Sequence, residues 1–221
     1  MKGVKNILIL FKQALVICVL VFACACQMTT MSTGPLHRGI GESWDPFLVY
    51  TLEDLERVGK PIADGTYDNW DRDKHYKQVN DINFSSISNW TRIGESSTSP
   101  FSGVYDGSNK KIINLQIGSS SYNYQGLFGY ISGDGTTTGI VKNLRLVDVH
   151  INSTSTVGGV VGYNDGGAVQ NCYVTGIVRG SSVIGGVVGR NDGSTSKVEN
   201  CYAMSDVEGT STQVGGIIMV Q

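Results

Sequence analysis

Apolar positions in the second half of the chain recur in a fixed order. A Gly-apolar-apolar-Gly step stands at Gly126–Gly129, Gly159–Gly162 and Gly186–Gly189. A second piece, apolar-x-Asn-apolar-x-apolar, is centred on Asn114, Asn143, Asn171 and Asn200, with Ile112/Leu115/Ile117, Val141/Leu144/Leu146, Val169/Cys172/Val174 and Val198/Cys201/Ala203 around them. A third carries Val149/Ile151, Val178 or Val207 before the next glycine. Polar turns separate the pieces at Gly133-Asp134-Gly135, Asn164-Asp165-Gly166 and Asn191-Asp192-Gly193. The four asparagines lie 29, 28 and 29 positions apart (143 − 114, 171 − 143, 200 − 171). A near-constant period of this size means one supersecondary unit stacked on itself. Strand side chains alternate faces with period 2, so the apolar step of three across each Asn predicts a corner or bulge. Asn suits such a place, because it tolerates the left-handed region and can bond nearby backbone. The four are expected to form a ladder at one corner, neighbours about 4.8 Å apart. Three short strands per turn, sharing one interior, predict an all-β fold: a right-handed parallel β-helix or solenoid with turns of about 29 residues.

Upstream the pattern is less regular. Thr51-x-x-Asp54 has the form of a capping box, Leu52, Leu55 and Val58 share a helical face, and Gly59 stands where a helix would end. A short N-terminal helix there is expected to cap the open end of the solenoid. His75–Phe84 reads as a strand, and Phe101–Ile117 as two strands around Asp106-Gly107-Ser108-Asn109. The chain therefore divides into residues 1–26, a targeting segment; 27–44, a polar, flexible tether; 45–100, the N-terminal cap and first strands; and 101–221, the solenoid proper.

Composition sharpens this picture. With 17 Lys+Arg against 19 Asp+Glu the chain has no basic field for nucleic acid. Its 29 glycines in 221 residues lack a Gly-X-Y period, which excludes collagen and fits tight turns. Lys2 and Lys5, then the short apolar run Ala14–Ala25, have the form of a secretory signal. The run ends in Ala23-Cys24-Ala25-Cys26, so Cys24 or Cys26 is the lipidation candidate of a lipoprotein-type signal peptide, with an ordinary cleaved signal as the alternative. Export follows from either, to the outer membrane or cell surface through a lipid anchor, or into the medium. Of the five cysteines only Cys172 and Cys201 lie in the body, one repeat apart, and they are expected as buried thiols rather than a disulfide.

Gly158–Tyr173 (GGVVGYNDGGAVQNCY) and Gly185–Tyr202 (GGVVGRNDGSTSKVENCY) resemble the GLUG motif of bacterial surface and secreted proteins. The preceding segment resembles the region that usually leads into those repeats, with Asn80-Asp81-Ile82, then Trp90 with Ile93-Gly94, then Phe101–Gly107 and Ile113-Asn114-Leu115. Arg92 stands where that pattern has Pro. Members of the family include adhesin-like proteins and IgA-specific metallopeptidases, in which the repeats accompany other domains. The resemblance implies an extracellular repeat module and does not by itself imply a reaction.

The residues offer little for catalysis. His37, His75 and His150 are the only histidines, and none belongs to His-Glu-x-x-His. No Gly-x-Ser-x-Gly elbow frames a nucleophile. Asp165 and Asp192 hold equivalent slots, and as members of Asn-Asp-Gly turns they are expected to serve the turn. No cofactor or metal is expected. The rival reading is a carbohydrate-active β-helix enzyme, a polysaccharide lyase or hydrolase, which would need clustered carboxylates or a carboxylate with a base. Tyr173 and Tyr202 share a slot and are the candidate ligand-contact aromatics, their partner a host or matrix glycan or a protein; sheet-surface packing also accounts for them. Gly216 follows Gly186 by 30 positions and opens another repeat that stops at Gln221. The expectation is a piece of a longer surface protein, or an end covered by self-association end to end.

Overall fold

A computed structural model describes residues 38–60, 69–118, 122–133, 138–210 and 213–220, the side chains of 218–220 excepted. The expected signal segment with Cys24 and Cys26, most of the expected tether, and His37 lie outside the described residues. One compact unit begins at Arg38. Residues 38–44, expected within the tether, are instead held to that unit. Leu48 N–H donates to Arg38 O at 2.7 Å and His75 N–H to Gly41 O at 2.9 Å, while Arg38 forms an ion pair with the buried Asp54. Polar composition alone had read as a tether, but these backbone groups find partners in the first strands.

The chain forms a parallel β-solenoid. In order it runs β1 (Phe47–Val49), α1 (Leu52–Arg57), β2 (His75–Gln78), β3 (Ile82–Asn83), β4 (Val104–Asp106), β5 (Lys111–Ile113), β6 (Gln116–Ile117), β7 (Tyr124–Gln125), β8 (Phe128–Ser132), β9 (Ile140–Lys142) and β10 (Arg145–Asn152). It continues through β11 (Thr156–Gly158), β12 (Val161–Asp165), β13 (Ala168–Gln170), β14 (Tyr173–Gly180), β15 (Val183–Gly185), β16 (Val188–Asp192), β17 (Lys197–Glu199), β18 (Tyr202–Gly209), β19 (Gln213–Gly215) and β20 (Ile218–Val220). The strands assemble into four sheets: β1-β2-β4-β9-β13-β17, then β3-β5-β10-β14-β18 with β6 also on β10, then β7-β11-β15-β19, and β8-β12-β16-β20. These are called the first to fourth sheets. Pairing within them is parallel.

A full turn therefore has four strands where the sequence pattern predicts three. The Gly-apolar-apolar-Gly step reads as one piece but bends in the middle: β11 ends at Gly158, β12 begins at Val161, and Gly159-Val160 makes the corner. Both Val160 and Val161 are fully buried, one on each side of the bend. A Cβ on Gly159 would lie 2.5 Å from Gly186 O and 2.8 Å from a Val174 methyl, so only glycine lets successive corners stack. The corner between the first and second sheets is made by Asn143, Asn171 and Asn200, at φ 53°, 52° and 53°.

Helix α1 has the predicted capping box. Thr51 Oγ1 accepts the Asp54 amide at 3.2 Å, and Asp54 Oδ2 accepts the Thr51 and Tyr50 amides at 3.0 and 2.9 Å. Leu55 and Val58 are fully buried and join the continuous apolar core. Among the described residues no helix is long and apolar enough to cross a membrane.

Candidate functional site

The outward faces of the stacked turns carry the candidate residues, and two faces stand out. On the second sheet, register places Arg145, Tyr173 and Tyr202 side by side. The Tyr173 and Tyr202 rings lie 4.8 Å apart at 43°. Tyr202 is 56% exposed and Met204 71%, and the Tyr173 hydroxyl reaches Met204 Sδ at 3.5 Å. Further along the same strands Arg179 grips Glu208 with two hydrogen bonds of 2.7 and 3.0 Å. That contact raises the arginine's affinity for its proton and lowers the carboxyl's.

The fourth sheet bears a lattice of phenols and carboxylates. Register aligns Tyr130, Tyr163 and Arg190, and two residues on, Ser132, Asp165 and Asp192. Each phenol donates diagonally to a carboxylate of the following turn: Tyr130 to Asp165 Oδ2 at 2.6 Å, Tyr163 to Asp192 Oδ2 at 3.1 Å. Arg190 pairs with Asp192 at 2.9 Å and lies 5.1 Å from the Tyr163 ring centre. Tyr124 stacks on Tyr163 at 5.1 Å. The Gly193 amide, then Tyr163 and Arg190, hold the Asp192 carboxyl below its ordinary range. Partial burial, then the bond to Asp192, pushes the Tyr163 phenol up to about 12, and burial with the Asp165 bond raises Tyr130.

Asp192 also serves its turn, its Oδ1 accepting the Gly193 amide at 2.8 Å, whereas Asp165 holds Tyr130 and leaves its turn to a neighbour. Asn164 takes that part: fully buried, it accepts the Gly167 amide at 2.9 Å and donates to Gly167 O at 3.1 Å and to Asn191 Oδ1 at 2.7 Å. This inner amide contact escaped the sequence reading, although Asn164 and Asn191 hold matching slots in it.

Of the corner asparagines, three share a column. Asn200 Nδ2 donates to Asn171 Oδ1 at 3.2 Å, and Asn171 Nδ2 to Asn143 Oδ1 at 3.0 Å. Asn143 Nδ2 then donates to Asp106 Oδ1 at 3.0 Å, so a carboxylate and not Asn114 receives the end of the chain. Asn114 belongs to another column. It lies between β5 and β6, opposite Asp148 on β10, and bonds Asn83 at 3.2 Å. The reason is an enlarged turn. Tyr105 pairs with Val141, 36 positions on (141 − 105), whereas Val141 pairs with Val169, 28 on (169 − 141). The turn after Asp106 occupies the corner, and the 29-residue step from Asn114 to Asn143 crosses from one column to another. Asp148 is a bulge at φ 55° whose amide donates to Thr175 Oγ1 at 3.0 Å.

Cys172 is buried and Cys201 half-buried, and both are free thiols. The Cys172 amide donates to Cys201 Sγ at 3.4 Å. Contact with Cys201 and burial push the Cys172 thiol up, and the same contact draws Cys201 down. Among the described residues no group of three or more His, Cys, Asp or Glu stands together to hold a metal ion.

Comparison with known proteins defines the class. The GLUG motif model matches residues 153–179 and 180–208. Each match covers one full four-strand turn, β11 to β14 and β15 to β18, so the chain is a parallel β-solenoid protein carrying GLUG repeats. Over 151 residues, 65% of the chain, it is 31% identical to halomucin of Haloquadratum walsbyi (strain DSM 16790 / HBSQ001). The chain spans about 2% of the length of that relative. A solved structure from Bacteroides ovatus, provisionally described as an immunoglobulin A1 protease, aligns over 85% of this chain and 87% of its own at TM-score 0.40 and 16% identity. Likeness at that level bears on neither mechanism nor activity.

Proposed function

We propose that the chain is a non-catalytic extracellular repeat module of a cell-surface or secreted protein, acting in adhesion or as a surface scaffold. Its wall would contact a glycan or protein of a host or matrix. The observation that carries this reading is the row of half-buried Tyr173 with exposed Tyr202 and Met204 on a regular parallel wall, since accessible aromatics beside polar neighbours are the usual currency of recognition. The GLUG turns and the likeness to a short stretch of halomucin support a repeat module. The aspartates of the fourth sheet support the absence of a reaction, because their carboxylates are engaged by Tyr130, Tyr163 and Arg190.

The test is an array of glycans and matrix proteins probed with the full chain. Binding to one class is expected, weakened at least tenfold (roughly 1.4 kcal/mol) by the double substitution Tyr173→Ala/Tyr202→Ala with the circular dichroism unchanged. Binding indifferent to the double substitution removes this face from the proposal. Release of reducing ends or unsaturated products from a polysaccharide panel overturns the non-catalytic reading. Attachment through Cys24 or Cys26 belongs to the same proposal: radioactive fatty acid should label the protein in its host, and an unlabelled protein with an N-terminus beyond Cys26 would end it.

A further inference from the structure

Arg92 is the residue that departs from the expected pattern; Arg38 and Arg190 also lie over tyrosine rings, but each of them has a carboxylate partner. Arg92 is 7% exposed. Its stem lies across Gly129, where a Cβ would come within 2.4 Å of Arg92 Cδ and 2.8 Å of Cγ. The guanidinium rests 4.4 Å from the centre of the Tyr122 ring, and Nη2 donates to Glu95 O at 3.0 Å. Nε is buried and has no partner. Among the described residues no carboxylate forms an ion pair with Arg92. Glu95 acts on it at longer range, and Lys60 adds a second positive charge nearby.

A buried guanidinium without a carboxylate is costly, because its charge is desolvated and a donor is left unmade. Such a group is retained where something completes it. Beside Arg92 lies a cavity of about 70 Å³, lined by Asn89, Trp90, Thr91, Arg92, Ile117, Tyr122 and Gln125. Among the described residues no acidic side chain lines it. Asn89 Oδ1 accepts the Gly118 amide at 2.9 Å, which orients the amide and leaves its Nδ2 donor on the other side. Trp90 is fixed by its indole N–H on Leu127 O at 3.0 Å, so this wall is rigid. The volume is several times the roughly 10–15 Å³ that one water needs. It suits a carboxylate group and is too small for a sugar ring. Tyr122 at the rim is 60% exposed although the guanidinium covers one side of its ring.

We propose that this cavity is an oxyanion receptor: Arg92 and Asn89 bind the carboxylate of an acidic sugar, whose ring rests on Tyr122 at the mouth. Planar guanidinium–carboxylate pairing and ring stacking on tyrosine supply the recognition. The site lies apart from Tyr173 and Tyr202 and does not depend on the wall-contact reading, so failure of either test leaves the other intact.

The full chain is titrated with D-glucuronate, inorganic sulfate and D-glucose, and the Arg92 Nε–H resonance is followed. Glucuronate is expected to saturate in the millimolar range and to shift that resonance, while glucose does neither. R92M keeps the stem across Gly129 without the charge and should weaken glucuronate at least tenfold. If R92M melts the fold, R92K retains a charge without the planar fork and should show the same loss. Y122A should weaken glucuronate and leave sulfate unchanged. Equal binding of sulfate and glucuronate, indifferent to Y122A, keeps the oxyanion receptor and assigns its occupant to free anions. Glucose binding as well as glucuronate, binding preserved in folded R92M and R92K, or no response to either anion at roughly 100 mM overturns the proposal.

Discussion

The two halves of this solenoid are filled by different means. Up to residue 131 the interior sets large rings among aliphatic side chains such as Leu55, Ile93, Ile112 and Leu127: Phe47, Trp70, Tyr76, Phe84, Trp90, Phe101, Tyr105 and Phe128 are all buried, in a chain of ring contacts such as Phe47–Trp70 at 4.8 Å and Phe101–Phe128 at 5.0 Å. From residue 140 onward the buried core described is aliphatic, with Cys172 and Ala168 among valines, leucines and isoleucines. The difference follows from repetition. Identical turns can stack only if each fills the same cross-section, and branched aliphatics set against glycine corners do so turn after turn. Large rings fill space less uniformly, and where the rings give way to aliphatics the turn changes: the steps from Phe47 to Tyr76 and from Tyr76 to Tyr105 are 29 residues each (76 − 47, 105 − 76), the step from Tyr105 to Val141 is 36 (141 − 105). The aromatic half also buries polar groups: Tyr105 donates to Gln78 Oε1 at 3.2 Å, and Gln78 Nε2 donates to Asn80 O and Lys111 O. Burial keeps the Tyr76 and Tyr105 phenols neutral far into the alkaline range.

The contrast can be broken first at a ring. Phe101→Ala should cost about 3–5 kcal/mol in urea denaturation, because its neighbours Tyr76 and Phe128 cannot close the gap. A loss under about 1 kcal/mol would mean that the aromatic half is not tightly packed. Next is a matched glycine pair. Gly159→Ala places its Cβ against Gly186 O and Val174 and should cost about 1–3 kcal/mol, whereas Gly118→Ala, whose nearest neighbour is Asn89 Oδ1 at 3.7 Å, should stay within about 0.5 kcal/mol. Equal effects would show that the corners of the aliphatic half are less constrained than their contacts imply. The smallest effect is alkaline. The Tyr163 phenol is raised from 10.0 to about 12 in the fold, so the neutral form is the one the folded state favours. Its linked stability is complete below about pH 10 and declines as pH rises through about 12. Ultraviolet titration should show Tyr163 ionising late, and D192N should bring that step back toward 10; an unchanged step would leave burial as the whole cause.

How much of this was legible depended on repetition. The Asn143, Asn171 and Asn200 column, the glycine corners and the parallel stacking could be read because three turns keep nearly the same length. Asn114 was misplaced by a coincidence of spacing, since a 36-residue turn hides a 29-residue step between two columns. The fourth strand per turn was missed because Gly159-Val160 looks like the inside of a strand, whereas β11 ends at Gly158 and β12 begins at Val161. The Tyr163–Asp192 diagonal joins a turn to a two-residue offset, a spacing no single-strand pattern displays. The capping box of α1 was read correctly, since its signature is local. The Arg92 cavity showed in sequence only as an unexpected side chain before Ile93-Gly94; its meaning lies in burial and a missing partner, which no spacing encodes.

The parallel stacking has a mechanical side. Backbone hydrogen bonds in such a stack run along its long axis, so tension between the two ends of a turn opens them one after another instead of shearing many at once. A turn contributes about 4.8 Å of height while folded. The 29 residues from Asn171 to Asn200 (200 − 171) release about 100 Å of contour once peeled away, at up to roughly 3.3–3.6 Å per residue. Each GLUG turn is therefore an extension reserve of roughly twentyfold. Refolding needs only one neighbouring turn as template, and the Asn171 amide waiting on that edge sets the register for the strand that returns.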